Sequence, residues 1–306
     1  MTIQISDNMR GAAFMSISVA AFVVNDTTMK LLGEHLSLFQ AIFLRGIFTS
    51  LLLASLCFYK GHLAYRIPKG DRLLVSLRLI GETGGAVFYL AALFNMPIAN
   101  ATAILQALPL AVTLTGAVFL SERVGWRRYF AIAVGFIGML MVVRPGSDGF
   151  NEYSVYAIIA VLFIVMRDLS TRRLSAAVPS LSVSLLTSIA VMVVGGLLSL
   201  TEEWQPVTTE SVSLLAMASL FIIFGYLFSV MTMRVGDISF SSPFRYTILI
   251  WAIILGFVVF GDIPDTWTIL GSLIIVGTGV YTLYRERYVI RRMRKDAGVK
   301  TKKRTL

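Results

Sequence analysis

The 306-residue chain is 57% hydrophobic and only 14% charged, with a formal net charge of +10 and a mean hydropathy of +0.79. Those proportions exclude an ordinary soluble domain. Recurring apolar runs of about 20 residues suit helices that cross about 30 Å of hydrocarbon, and they exclude transmembrane strands, which need only about 10 alternating residues.

Ten spans are predicted, at 10–32, 37–58, 73–94, 98–120, 126–143, 153–174, 181–200, 211–233, 238–260 and 266–284. Asp7 and Arg10 precede span one in place of a basic run, and no small-residue cleavage site follows it, so it reads as a retained helix and not a signal peptide. It carries Asn25, Asp26 and Thr28 in its outer half, with Lys30 placed to snorkel to the interface. Span two brings Arg45 to a depth at which it can pair with Asp26. The lone Cys57 excludes a disulfide framework and a thiol metal cluster.

Span three holds Arg78 and Glu82 one turn apart on one face, among Gly81, Gly84 and Gly85 and followed by Phe88 and Tyr89. Span four contains Asn100, Thr102, Gln106 and Pro109; span six contains Arg167 and Asp168, followed by Arg172. In span nine, Ser239, Ser241, Ser242 and Pro243 precede Arg245 and Tyr246. Proline removes a backbone donor and interrupts a helix, and serines can satisfy the freed carbonyls. Glycine stripes in span five (Gly135, Gly138) and span ten (Gly271, Gly277, Gly279) suit close helix packing or a homodimer contact.

Basic residues set the orientation. With both termini in the cytoplasm, Lys30 and Arg144 are the outer basic residues. Arg10, Lys60, Arg66, Lys69, Arg72, Arg123, Arg127, Arg128, Arg172, Arg173, Arg234 and the residues from Arg285 onward then lie inside. The outer loops are acidic, with Glu34, Asp148, Glu152, Glu202, Glu203, Glu210, Asp262 and Asp265. The tail 286–306 is expected to sit on anionic lipid head groups, with no nucleic-acid role.

The second half repeats the first at an offset of 140 residues: Gly85 answers to Gly225, Ile98 to Ile238, and the loop acid Glu122 to Asp262. The offset drifts by one or two elsewhere, setting Asp26 and Lys30 against Asp168 and Arg172, and Trp126 against Trp267. Five spans per copy is an odd number, so the second copy must be upside down. The loop after span four is basic, whereas its partner after span nine keeps the acid without the basic residues. The fold class expected is therefore an all-α integral membrane protein of two inverted five-helix repeats, 1–145 and 146–285.

Charges left inside the membrane are costly unless they pair or meet water, which makes each a functional candidate. They are Asp26, Arg45, Arg78, Glu82, Arg167, Asp168 and Arg245. Arg78 and Glu82 either neutralise one another or meet a polar substrate, with Glu82 a candidate for proton exchange. Arg245 and Tyr246, beside an interrupted helix, and Gln106, which matches Tyr246 in the repeat, are further candidates for substrate binding, with Tyr89. Asp26 with Arg45, and Asp168 with Arg167 and Arg172, are candidate gates at opposite ends. His35 and His62 lie too far apart for metal-ligand spacing, and no hydrolase, zincin or nucleotide motif occurs. No cofactor or metal is expected.

The run Phe22-Val-Val-Asn-Asp-Thr-Thr-Met-Lys30, Arg45, the stretch Ala99–Leu110 leading to Ser121-Glu122-Arg123, and Arg144-Pro145 resemble the EamA-type carriers of the drug/metabolite transporter superfamily. Ser242-Pro243-Phe-Arg-Tyr246 and Gly261-Asp262 extend the resemblance into the second copy, with Asp262 where a glutamate is common. The resemblance implies a secondary carrier of the bacterial inner membrane with a central cavity between the repeats and peripheral fifth and tenth spans. Riboflavin and S-adenosylmethionine are the leading cargo expectations. Riboflavin suits Phe88, Tyr89, Gln106, Tyr246 and Trp251, whereas S-adenosylmethionine suits Glu82 and Arg245. Export of amino acids or drugs stays open. An integral membrane enzyme would need a surface cluster of catalytic His, Asp or Glu, and none is visible.

Overall fold

The computed structural model describes residues 7–61, 67–119, 125–146, 151–175, 178–235 and 241–304. His62, Arg66, Ser121, Glu122, Arg123, Asp148, Ile238 and Ser239 lie outside the described residues. So do the side chains of Arg128, Arg172, Arg234 and Ser242 and those of the tail from residue 286.

The described residues form helices α1 (Asp7–Leu32), α2 (Leu38–Tyr59), α3 (Arg72–Asn95), α4 (Ile98–Leu105), α5 (Leu108–Phe119), α6 (Trp126–Val143), α7 (Tyr153–Arg172), α8 (Ser180–Leu198), α9 (Thr209–Arg234), α10 (Ile248–Phe260) and α11 (Thr266–Arg304). Short 3₁₀ turns cover Lys69–Asp71, Ser199–Thr201 and Ser242–Thr247. Among the described residues, nine helical stretches are long and apolar enough to cross a membrane, and Tyr129–Val143 is a shorter apolar one. The chain is an all-helical, multi-pass membrane protein.

Two spans are broken, span nine where Pro243 led to the expectation and span four where a continuous helix was expected. Span four stops at Leu105 and resumes at Leu108, so Gln106 and Ala107 form a turn. Pro109 accounts for it: its ring crowds the carbonyl of Leu105 and it has no N–H to offer that oxygen. Span nine runs as a 3₁₀ turn over Ser242–Thr247, with Pro243 at its start, before α10 begins. Shifted back by 140, that turn covers 102–107, so the two breaks occupy equivalent places in the halves. Helix α11 continues past the expected end of span ten, through Arg304.

Packing is symmetric under exchange of the halves. α1 packs along α9, and its counterpart α7 packs along α3; α2 lies on its own counterpart α8, and α6 on its counterpart α11. Glycines permit the close approaches. A Cβ on Gly225 would meet the Phe22 ring at 2.6 Å, and one on Gly84, next to its repeat partner Gly85, would meet the Phe163 ring at 2.5 Å, so the repeat-related phenylalanines fill similar notches one residue apart in register. Gly46 faces Met192, the Ser50 and Ser188 hydroxyls hydrogen-bond at 2.8 Å, and the Cys57 thiol points at the Leu181 carbonyl. As numbers rise along α2 they fall along α8. Equivalent helices thus run in opposite senses.

The glycine stripes are used in part within the chain. A Cβ on Gly138 would stand 2.9 Å from the Gly271 carbonyl oxygen, so α6 and α11 meet through Gly138 and Gly271, whereas Gly277 has no neighbouring atom within 4 Å of such a Cβ.

Candidate functional site

Two polar clusters meet on α3. Towards its C-terminal end, the Tyr89 hydroxyl donates to Asp26 Oδ2 at 2.7 Å, and Asn25 Nδ2 donates to the other carboxylate oxygen at 2.9 Å. Asp26 is therefore held by a phenol and an amide, not by an ion pair with Arg45. Seven residues earlier on α3, Glu82 Oε2 accepts from Arg167 Nη1 at 3.1 Å, while Arg167 Nε donates to Asp168 Oδ1 at 2.8 Å. One guanidinium on α7 thus serves two carboxylates, which is the arrangement that makes embedded acids tolerable.

The Arg78–Glu82 pair does not form. Arg78 Nη1 instead donates to the Thr171 hydroxyl on α7, and Arg78 Nε is buried with no partner. The helix spacing was right, but α7 runs close enough along α3 to supply a better cation for Glu82. Close approach at Gly81 makes this possible, since a Cβ there would stand 2.7 Å from the Phe163 carbonyl oxygen and 2.8 Å from the Arg167 nitrogen.

Arg45 has no carboxylate within 4.0 Å among the described residues. Its charge is felt by Asp26, Tyr226 and Glu82. Tyr226, on α9, did not stand out in the sequence. Its ring is 53% exposed and packs edge-on to Phe22, yet it lies in electrostatic reach of Glu82, Arg167, Arg78 and Arg45. Its place directly after Gly225, the partner of Gly85, was the available signal.

The remaining candidates separate. Gln106 sits at the break in span four, buried, with Oε1 unpartnered. Tyr246 is 5% exposed and its hydroxyl lies against Gly279 of α11, so it fills the contact with the peripheral tenth span. Arg245, beside it, is exposed. Lys30 does more than snorkel: Nζ donates to the Met96 carbonyl at 2.8 Å, stands 3.4 Å from Asp262 Oδ2 and lies over the Phe260 ring. It ties span one to the loops after spans three and nine. Asp262 is thereby engaged, while its repeat partner Glu122 lies outside the described residues. A groove of about 430 Å³ runs outside this cluster, between α6 and α11, lined by residues including Trp126, Phe130, Gly277 and Tyr281.

Residues 9–144 and 153–284 each match the model of the EamA-like transporter family. An S-adenosylmethionine uptake transporter of Rickettsia prowazekii is 25% identical over 281 residues, covering 91% of this chain and 94% of the relative. A riboflavin transporter of Vibrio cholerae is 30% identical over 202 residues, covering 65% and 67% of the two chains. A pseudopaline exporter of Pseudomonas aeruginosa is 26% identical over 213 residues, covering 66% and 72%. One crystal structure, at 20% identity, covers 90% of this chain and 98% of its own with a TM-score of 0.62, which shows a shared fold.

Proposed function

The chain belongs to the EamA-like transporter family, and from that membership we propose that it is a secondary carrier that takes up a small polar organic metabolite across the bacterial inner membrane by alternating access. The observation that carries this reading is the pair of breaks at equivalent points of spans four and nine, in a bundle that also holds embedded charges. Interrupted helices expose oriented backbone groups at membrane depth, and they are tolerated where they line a cavity. The distribution of Lys and Arg supports a cytoplasmic position for both termini, with the basic extension of α11 along anionic head groups in this proposal. Units 1–145 and 146–285 are the rocking bodies in this proposal. Asp26 and Asp168 stand at opposite ends as gates, and Glu82 is the group able to carry a coupling proton.

Of the two cargo expectations, S-adenosylmethionine is the better supported. The relatives named for its uptake align over more than nine-tenths of both chains, whereas the riboflavin transporter aligns over about two-thirds. The site also supplies guanidinium and carboxylate groups in one cluster, which suits a charged cargo more than a neutral one. Uptake of labelled S-adenosylmethionine and of labelled riboflavin into cells expressing the chain, with and without a protonophore, tests the reading. Saturable S-adenosylmethionine uptake above that of control cells is expected. Uptake equal to controls for both compounds, with the protein correctly inserted, overturns it.

A further inference from the structure

We infer that the groove between α6 and α11 binds one anionic phospholipid, with an acyl chain along its apolar walls and the head-group phosphate at Arg127. The inference concerns a face away from the charged cluster and stands whatever the cargo is. Gly138 meets Gly271, and a Cβ on Gly135 would stand 2.8 Å from the Thr278 hydroxyl. Numbers therefore fall along α6 as they rise along α11. Trp126, the first residue of α6, thus lies at the end of the bundle where the sequence of α11 turns basic. The groove of about 430 Å³ opens at that end, walled by Trp126, Phe130 and Val134 on α6 and by Tyr281 on α11. Its floor at Gly277 is open, with no atom within 4 Å of where a Cβ would stand. From Trp126 to Val134 the helix rises about 12 Å, most of the roughly 15 Å depth of one leaflet's hydrocarbon.

Trp126, Phe130 and Tyr281 are 73%, 67% and 43% exposed, and Trp and Tyr anchor proteins at the membrane–water boundary. Arg127 lines the same end of the groove, its guanidinium 5.4 Å from the centre of the Trp126 ring. It has no carboxylate within 4.0 Å among the described residues. The ring holds the guanidinium at interfacial depth, and its fork of N–H donors matches phosphate oxygens. A phosphate site at the boundary, above an apolar slot that descends through one leaflet, has the layout of a phospholipid. Head-group charge then decides between lipids. A zwitterionic lipid brings its own cation towards Arg127 and the basic sequence from Arg285 onward, whereas an anionic one does not. A second copy of the chain fits less well. A two-fold contact would set one concave groove against another and turn each Arg127 towards its symmetry mate.

Fluorescence quenching in vesicles tests this. Trp204→Phe, Trp251→Phe and Trp267→Phe together leave Trp126 as the sole tryptophan. The protein is reconstituted in phosphatidylcholine containing increasing fractions of phosphatidylglycerol or of phosphatidylcholine brominated on the acyl chains. Brominated phosphatidylglycerol is expected to quench Trp126 with an affinity about fivefold higher, the scale of one basic residue at an anionic surface. Arg127→Gln should bring that ratio close to one. Gly277→Phe, which puts a ring into the open floor, should also remove the preference while Arg127 remains. Native mass spectrometry of the unaltered protein supplies a readout without any variant: one phosphatidylglycerol should stay bound under conditions that strip phosphatidylcholine. Equal quenching by the two lipids, or equal stripping of both, overturns the inference. A preference that survives Arg127→Gln assigns the selectivity to the basic tail and overturns it too. Quenching by either lipid that fades as the protein-to-lipid ratio rises shows a second copy in the groove, with the same consequence.

Discussion

Arg167 gives the sharpest test of the polar cluster, because one side chain neutralises two acids. Its Nη1 lies 3.1 Å from Glu82 Oε2 and its Nε 2.8 Å from Asp168 Oδ1, with side-chain exposures of 23%, 20% and 32% for Arg167, Glu82 and Asp168. Replacing it with glutamine leaves two carboxylates facing one another without a cation. Removing one member of a buried pair costs about 3–5 kcal/mol, against about 0–1 kcal/mol for a surface pair. Exposure of roughly a quarter places this cluster near the lower bound of the buried range, at about 3 kcal/mol, which is on the order of a hundredfold in the folding equilibrium. Glu82→Gln alone should cost less, since Arg167 keeps Asp168. The double variant Arg167→Gln/Glu82→Gln should be more stable than Arg167→Gln, because one stranded charge has gone. Thermal melting of purified protein in detergent, followed by tryptophan fluorescence, should therefore rank the unaltered protein first, the double variant next and Arg167→Gln last. Equal melting of Arg167→Gln and the unaltered protein would refute the reasoning, as would a double variant less stable than Arg167→Gln.

Three further outcomes are expected. Gly81→Ala presses a methyl onto backbone atoms at 2.7 and 2.8 Å, so it should lower stability by about 1–3 kcal/mol, whereas Gly277→Ala, with no atom of its surroundings within 4 Å, should melt like the unaltered protein. Lys30→Ala severs the ties to Met96 and Asp262; it should loosen the junction of spans one, three and nine, read as faster hydrogen exchange at 95–96 and 261–263 than in the unaltered protein. Cys57, fully buried against α8, should resist maleimide in membranes and react once the protein is denatured in SDS, so a cysteine placed at Lys60 or Glu34 would report orientation against a silent background.

The scaffold was legible because membrane burial writes itself into composition: helix ends fall within a few residues of the apolar runs wherever loops supply charge or proline. The break at Gln106 was less visible. Pro109 disturbs the carbonyl four residues earlier, so the fault lies upstream of the residue that signals it. Pairings were the least legible part. Spacing along one helix puts Arg78 beside Glu82, but α7 approaches through the glycines of α3 and supplies Arg167 instead, a consequence of tertiary contact that no local pattern encodes. Tyr246 and Tyr226 show the same limit. Both are tyrosines in apolar helices, and only the neighbouring element decides that one fills a notch at Gly279 while the other packs edge-on to Phe22.

The most direct test of the central claim is counterflow in liposomes holding only the purified chain and a load of unlabelled S-adenosylmethionine. The account predicts that external labelled S-adenosylmethionine accumulates transiently inside, in a saturable manner, and that protein-free liposomes show none. Passive equilibration at the protein-free rate, with the protein folded and inserted, would contradict it.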